Sequence, residues 1–171
     1  AELAVVAGVP LDNGMDAGDT AEITVESGRR IDDPVHLVHV AAAEAAVGGG
    51  TVSSARSAIR IGADSALTVV ETYCGFDGPT VTNAATPIRV DDRGELDHHR
   101  IQIEAPSATH LGDTSVELAG GARMRMSCTT LGADIARNAV AVRLDAPDAR
   151  AELSGVAVTT GLQRHDTVVT V

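Results

Sequence analysis

The sequence contains no lysine and no tryptophan, and it has one tyrosine and one phenylalanine among 171 residues. All 13 basic side chains are therefore arginines, and 24 acidic residues bring the net charge to −11. A phosphate-binding P-loop requires a lysine, so this route to nucleotide binding is excluded. A surface this acidic repels a phosphate backbone, and no basic run interrupts it. We therefore expect no nucleic-acid partner.

Long apolar runs and enzyme signatures are also missing. No stretch approaches the roughly 18 consecutive apolar residues that span a bilayer, and the first residues carry no signal-like pattern. We expect a soluble, cytoplasmic protein without a membrane contact. A G-x-S-x-G nucleophile elbow is absent, and we predict no catalytic residue. Hydrophobic residues make up 44% of the chain and charged residues 22%, which is typical of a globular fold.

What the sequence does contain is a repeat. Four segments consist of a small residue followed by apolar residues in strict alternation, and they begin at Ser65, Gly94, Ala122 and Ala149. The starts lie about 28 residues apart, a period typical of stacked solenoids. Because the alternation has period 2, the repeated element is a strand. The sequence predicts an all-β parallel β-helix with coils of about 28 residues, one domain over residues 1–171 and an entry coil over 1–30.

Extending the alternation by two residues in each repeat brings four further residues into one column, Glu71, Arg100, Cys128 and Gly155. Neighbouring members would stand about 4.8 Å apart along the solenoid. An inward carboxylate requires a charge partner, so we predict that Glu71 and Arg100 form an interior pair. Cys128 is then either a small filler or, beside the guanidinium, a thiol that favours its thiolate form.

The other candidate ligands are scattered. Cys74 and Cys128 lie far apart without a C-x-x-C spacing, so a zinc or cluster site made by this chain alone is not expected. His99 and His110 are assigned to the solvated outer face. His165 is the histidine that we favour for a partner or metal contact, because it lies near the final strand, 167–171. That strand leaves unpaired backbone groups, which favour an interface.

Six motifs occur in an order that resembles the β-helix core of the SufD members of the SufB/SufD family of iron–sulfur cluster assembly proteins. They are DPVHLVHV at 33–40, VVETY at 69–73, TNA at 82–84, LDHHRIQ at 96–102, ATHL at 108–111 and RN at 137–138. The resemblance covers most of residues 30–166. It implies a right-handed parallel β-helix and a non-enzymatic scaffold role in a cytoplasmic SufBCD complex.

The resemblance also implies partners and cargo. A SufB-like subunit would bind at the β-helix end. The SufC ATPase binds a C-terminal helical region that this sequence lacks, so SufC is not an expected partner of the chain as given. No stably bound cofactor is expected, and a transient Fe–S cluster or iron would be the cargo. Cys128, His165 and Cys74 are the candidate residues for handling it, and the metal itself is left open.

Two alternative functions belong to other classes. One is a structural β-helix that dimerises through its ends. The other is a β-helix enzyme acting on polysaccharide, which exposed carboxylates and arginines in one groove would favour. Such enzymes usually stack sugars on exposed aromatic rings, and the near absence of aromatic residues argues against this alternative.

Overall fold

The computed structural model describes residues 20–41, 51–75 and 78–171. These residues form eleven β-strands and no helix. The strands are β1 (Thr20–Val25), β2 (Val35–Ala41), β3 (Thr51–Ile61), β4 (Ala66–Gly75), β5 (Thr80–Val90), β6 (Glu95–Ile103), β7 (Thr109–Leu118), β8 (Arg123–Thr130), β9 (Ile135–Leu144), β10 (Arg150–Ala157) and β11 (Arg164–Thr170). Residues 1–19 of the predicted entry coil lie outside the described residues.

The strands form two parallel sheets whose members alternate along the chain. Sheet A has the order β1-β3-β5-β7-β9-β11, and sheet B has the order β10-β8-β6-β4-β2. Each coil therefore contributes one strand to each sheet. Leu67 pairs with Leu96, 29 residues on, and Leu96 pairs with Met124, 28 residues on. The predicted all-β solenoid and its period are confirmed, and the right-handed sense stays a prediction.

The turn from sheet A to sheet B has one recurring backbone feature. A residue in the left-handed region occupies it in successive coils, with φ of 56° at Asp64, 57° at Arg93, 65° at Gly121 and 62° at Asp148. This conformation disfavours side chains other than glycine. At two neighbouring corners a side-chain interaction offsets this unfavourable backbone conformation, because Arg93 Nε and Nη2 donate to the Asp64 carboxylate at 2.7 and 2.6 Å.

The interior divides into two halves along every coil. The apolar half lies next to these corners and contains buried aliphatic side chains from both sheets. It comprises Val25, Ile59, Ile61, Leu67, Val69, Ile88, Val90, Leu96, Val116, Leu118, Met124, Met126, Val140 and Val142. No helix within the described ranges could span a membrane.

The polar half lies on the other side of the same coils, where sheet B strands end and sheet A strands begin. It consists of side chains that point inward although they are ionisable or hydrogen-bonding. Its members are His39, Ser57, Glu71, Tyr73, Thr82, Thr86, His98, Arg100, Gln102, Glu104, His110, Thr114 and Asn138, of which all but His39 are buried. A solenoid interior filled only by aliphatic side chains would need none of them.

Candidate functional site: a buried polar cluster inside the solenoid

The predicted interior column is present in the strand register. Glu71 of β4 pairs with Arg100 of β6, Arg100 pairs with Cys128 of β8, and Cys128 pairs with Gly155 of β10. Glu71 is 0% exposed and Arg100 is 2% exposed. The period-2 alternation therefore identified two charged residues that are fully inside the fold.

Glu71 is held by donors from four strands. Its Oε1 accepts a hydrogen bond from Ser57 Oγ at 2.8 Å and lies 3.1 Å from His39 Nε2. Its Oε2 lies 3.2 Å from His98 Nε2, and Thr86 Oγ1 lies within 3.3 Å of both oxygens. Burial alone would raise the pKa of Glu71, but these bonds and the Arg100 charge hold it well below its usual value.

Arg100 crosses the interior to reach sheet A. Its Nη1 donates to Thr114 Oγ1 at 3.1 Å, and its Nη2 donates to His110 Nε2 at 3.0 Å. Its guanidinium carbon lies 4.8 Å from the centre of the Tyr73 ring, a cation–π distance. The ion pairs of Glu71 among the described residues are with His39 and His98. The predicted Glu71–Arg100 pair is therefore adjacent in register but does not form a direct ion pair.

Gly112 on β7 makes room for this guanidinium. Gly112 points inward, and a Cβ atom added to it would overlap the Nη1, Nη2 and Cζ atoms of Arg100. The backbone here needs no left-handed conformation. The missing side chain, rather than backbone freedom, is what the fold uses at this position.

A second carboxylate lies beside the first. Glu104 Oε2 is 2.8 Å from His110 Nδ1 and accepts a hydrogen bond from Gln102 Nε2 at 2.8 Å, and Thr82 Oγ1 donates to Oε1. Burial opposes ionisation of Glu104, but His110, Thr82 and Gln102 together lower its pKa. Glu104 is thus a second ionised group within the interior.

The hydrogen bonds fix the tautomer of His110. A guanidinium has only donors, so His110 Nε2 must accept from Arg100 and carries no hydrogen. The hydrogen is therefore on Nδ1, which faces Glu104. His110 is 0% exposed. The prediction that it lies on the outer face near His99 is wrong, because His110 shares its strand face with the buried Thr114 and Leu118.

Tyr73 links the two carboxylate sites through its ring. It stacks on His39, with centroids 4.7 Å apart and planes 15° apart, and it meets the edge of His110 at 4.9 Å. Burial and the neighbouring Glu71 charge raise the pKa of the phenol. The one tyrosine of the chain therefore lies neutral between two histidines and a guanidinium.

Among the described residues, four buried polar atoms of the polar half lack a partner in hydrogen-bond geometry. They are Nε of Arg100, Nδ1 of His98, Oδ1 of Asn138, whose Nδ2 donates to Thr130 Oγ1 at 3.2 Å, and Nδ1 of His110, which lies 2.8 Å from Glu104 Oε2 but is not aligned for a hydrogen bond. Buried polar atoms usually have partners, and each exception needs an explanation. Here the exceptions accompany the most highly charged part of the interior.

Cys128 follows Arg100 in the column but does not gain a thiolate from it. Burial raises the pKa of the Cys128 thiol, and the Arg100 charge offsets only part of this effect. Of the two alternatives for Cys128, the thiolate beside the guanidinium is therefore not supported. Its thiol is a neutral, partly buried group.

The three residues predicted to handle iron or sulfur lie apart. Cys128 points inward from sheet B, whereas Cys74 lies in the outward register position between Val40 and Ile103, and both cysteines are free. His165 is on β11 of sheet A, with Nε2 3.4 Å from the Ala133 carbonyl oxygen. Within the described ranges, no three His, Cys, Asp or Glu side chains are arranged to hold a metal ion.

A shallow groove of about 560 Å³ lies on the outer face of sheet B. Its lining includes carboxylates and arginines that are largely tied to one another. Arg125 donates to both oxygens of Asp97 at 2.7 and 2.6 Å, and Arg30 donates to Glu95 at 3.0 Å. None of the described residues that line the groove is aromatic. It offers charge but no platform for a sugar ring.

The sequence reasoning missed His39, Glu104 and Gly112 as parts of this site. For Glu104 a signal was available, since it continues the inward alternation of Arg100 and Gln102. For Gly112 the signal was an isolated glycine inside a strand pattern, which suggests close approach of another group. For His39, nothing in the sequence showed its contact with Glu71.

These features define a class of protein, a parallel β-solenoid with an ionised polar cluster inside its coils. Residues 41–171 match the family model for the SufBD core domain of the SUF system of FeS cluster assembly. The chain belongs to this family, and the resemblance stated from the motifs is confirmed at that level. Searches of curated proteins and of solved structures find no significant match.

Proposed function

We propose that the chain is a SufD-type scaffold subunit of an iron–sulfur cluster assembly complex and catalyses no reaction of its own. The observation that carries the proposal is the SufBD core-domain match over residues 41–171, which includes all strands from β3 to β11. Family membership gives the role in Fe–S cluster assembly. The SufD-type assignment, the SufB-like partner and a cytoplasmic location rest on the sequence motifs and belong to the proposal.

The β10–β11 end of the solenoid supports the partner assignment. Within the described residues, β10 and β11 are the outer strands of the two sheets, each paired on one side only. Val169 occupies an inward register position next to the buried Val140, yet it is 49% exposed. An edge that combines unpaired backbone with inward-type apolar side chains fits a SufB-like subunit. The same end would also serve a homodimer.

The test is anaerobic co-expression with SufB and SufC, followed by size-exclusion chromatography with light scattering and a visible absorption spectrum. We expect a complex that contains SufB. Val169→Asp should abolish it, whereas Val52→Asp, at an exposed valine (69%) of β3, should leave it intact. A colourless homodimer that does not bind SufB would contradict the partner assignment. SufC bound directly to this chain would contradict the expectation that SufC is not its partner.

Cargo handling is proposed for Cys128, His165 and Cys74, with an Fe–S cluster or iron passing transiently as the substrate of assembly. Cys128 is favoured because it adjoins Arg100, the guanidinium with an unpartnered Nε. Cys128→Ser should lower cluster formation in the complex, and by more than Cys74→Ser does, because Cys74 is on the outer face. Unchanged cluster yield in Cys128→Ser would remove Cys128 from the pathway.

The outer groove favours one second candidate, the polysaccharide-acting enzyme. Its carboxylates and arginines are what such an enzyme needs, but the Asp97–Arg125 and Glu95–Arg30 pairs tie up two of its four carboxylates and two of its four arginines. Release of reducing ends from acidic polysaccharides, lost in Asp97→Asn, would support the enzyme. We expect no release.

A further inference from the structure

The buried polar cluster is one positive charge short. Two carboxylates, Glu71 and Glu104, are hydrogen-bonded as anions inside the solenoid, and one guanidinium, Arg100, accompanies them. Tyr73 is neutral. An uncompensated buried charge is strongly unfavourable, and protein interiors avoid it by binding or releasing protons. Both oxygens of each carboxylate accept a hydrogen bond from a hydroxyl or amide donor, so neither carboxyl group carries the compensating proton. The missing charge is then assigned to one of the three histidines that touch the cluster.

The hydrogen bonds exclude two of them. His110 accepts from Arg100 through Nε2, so that nitrogen has no proton. His98 is 0% exposed, and its Nε2 faces Glu71 while its Nδ1 has no partner. An imidazolium at His98 would leave a buried N–H without an acceptor, which costs the full desolvation of that group. Both histidines are therefore neutral, as the Nδ1–H and Nε2–H tautomers respectively.

His39 is the histidine that can hold a second proton. Its side chain is 18% exposed, so one ring edge reaches water while Nε2 lies 3.1 Å from Glu71 Oε1. We propose that His39 carries the missing proton, and that the resulting His39–Glu71 ion pair is a pH-sensitive latch that fastens the first coil, β1 and β2, to the polar cluster.

The surroundings of His39 make this contact the sensitive one. Strand β4 presents Glu71 and Tyr73 to it, and Ser57 Oγ of β3 lies 3.2 Å from its Nε2. Behind them lie His98 and Arg100 on β6, with His110 on β7 against the far side of Tyr73. β2 pairs only with β4, at the edge of sheet B. Loss of the proton leaves the cluster with a net negative charge at the strand with the fewest neighbours.

The charge state can be measured by ¹⁵N NMR of the imidazole rings in the full chain at pH 7. We expect both nitrogens of His39 to be protonated, and neutral rings at His98 and His110. In Glu71→Gln the charge deficit disappears, and His39 should become neutral. A neutral His39 in the unaltered protein would overturn the proposal.

The latch itself is measured by hydrogen–deuterium exchange of β2 at pH 6 and pH 9, corrected for intrinsic exchange and compared with β6. We expect protection of β2 to fall about tenfold at the higher pH, while β6 is unchanged. His39→Gln should remove this pH dependence. His36→Gln, on the outer face of the same strand, should retain it. Equal protection of β2 at both pH values in the unaltered protein would contradict the latch, whatever the result of the SufB experiment.

Discussion

The two halves of the interior are built from the same coils but follow different rules. In the apolar half, like residues stack on like, as Leu67 does on Leu96 and Ile59 on Ile88. In the polar half, unlike residues stack at the centre of the cluster, where Glu71 is followed by Arg100 and Thr82 by His110. Aliphatic contacts are non-directional, so any coil of the right volume fits on the next. Hydrogen bonds are directional and fit in one arrangement only.

This difference separates what holds the solenoid together from what makes it specific. The apolar half is a continuous stack of buried area that a repeat can extend from coil to coil. The polar half places donors against particular acceptors on other strands, as with Arg100 against Thr114 and Ser57 against Glu71, so exchanging or shifting coils would break these bonds. The residues that distinguish this chain from a generic β-solenoid are therefore in the polar half. The predictions below test this division.

Removing the guanidinium should have the largest effect. Arg100→Met leaves Glu71 and Glu104 buried without their one permanent positive charge, and breaking such an arrangement costs about 3–5 kcal/mol of unfolding free energy. Urea denaturation followed by circular dichroism measures it. Arg137→Met, at an arginine side chain that is 60% exposed, is the control and should cost less than about 1 kcal/mol. A small loss in Arg100→Met would mean that the polar half contributes little to stability.

Shortening a buried side chain of the apolar half should lower the free energy of unfolding by nearly as much, but for another reason. Leu118 is fully buried, and Leu118→Ala removes packed atoms and leaves a cavity, for about 2–5 kcal/mol. Leu111 lies on the same strand but is 42% exposed. Leu111→Ala should cost about 0.5 kcal/mol or less. If the two variants had equal stability, the apolar half would not be the packed core that the structure shows.

Acid should act on the polar half alone. The pKa values of Glu71 and Glu104 lie below the ordinary value of 4.5. The unfolded state therefore binds more protons than the folded state in this pH range. The contribution of these two carboxylates to the free energy of unfolding is fully present above about pH 4.5, and it is lost as the pH decreases through their folded-state pKa values. Urea unfolding between pH 7 and pH 3 should show this loss. Glu104→Gln should flatten the curve, whereas Glu152→Gln, at an exposed glutamate, should leave its shape unchanged.

Much of the fold could be predicted because period-2 alternation and a fixed repeat length determine which residues face inward and which strands are neighbours. The column from Glu71 to Cys128 followed from this parity. His110 was misplaced although the same rule applies, since counting back by twos from Leu118 leads through Thr114 and Gly112 to His110. The error came from not extending the inward alternation of β7 to the start of the strand.

What the sequence could not provide are contacts between the two sheets. Parity places Arg100 inside, but it does not show that the side chain reaches past Glu71 to Thr114 on the opposite sheet. The protonation of Cys128 also depends on its depth of burial, which outweighs the neighbouring charge. Both properties depend on side-chain length and on distances across the interior, and neither follows from strand periodicity.

The substitution with the smallest expected effect tests whether Arg100 needs the space that Gly112 leaves. Gly112→Ala would put a methyl group into the Arg100 guanidinium, and overpacking of this kind costs about 1–3 kcal/mol. Gly155→Ala is the matched control, because its Cβ would meet the Cys128 carbonyl oxygen at 3.5 Å, an ordinary contact. NMR of the His110 ring adds a local readout. If the methyl group displaces Arg100, His110 Nε2 loses its donor and His110 no longer prefers the Nδ1–H tautomer. If small shifts of β7 relieve the overlap instead, the tautomer stays the same. That result would show that the polar half tolerates strain.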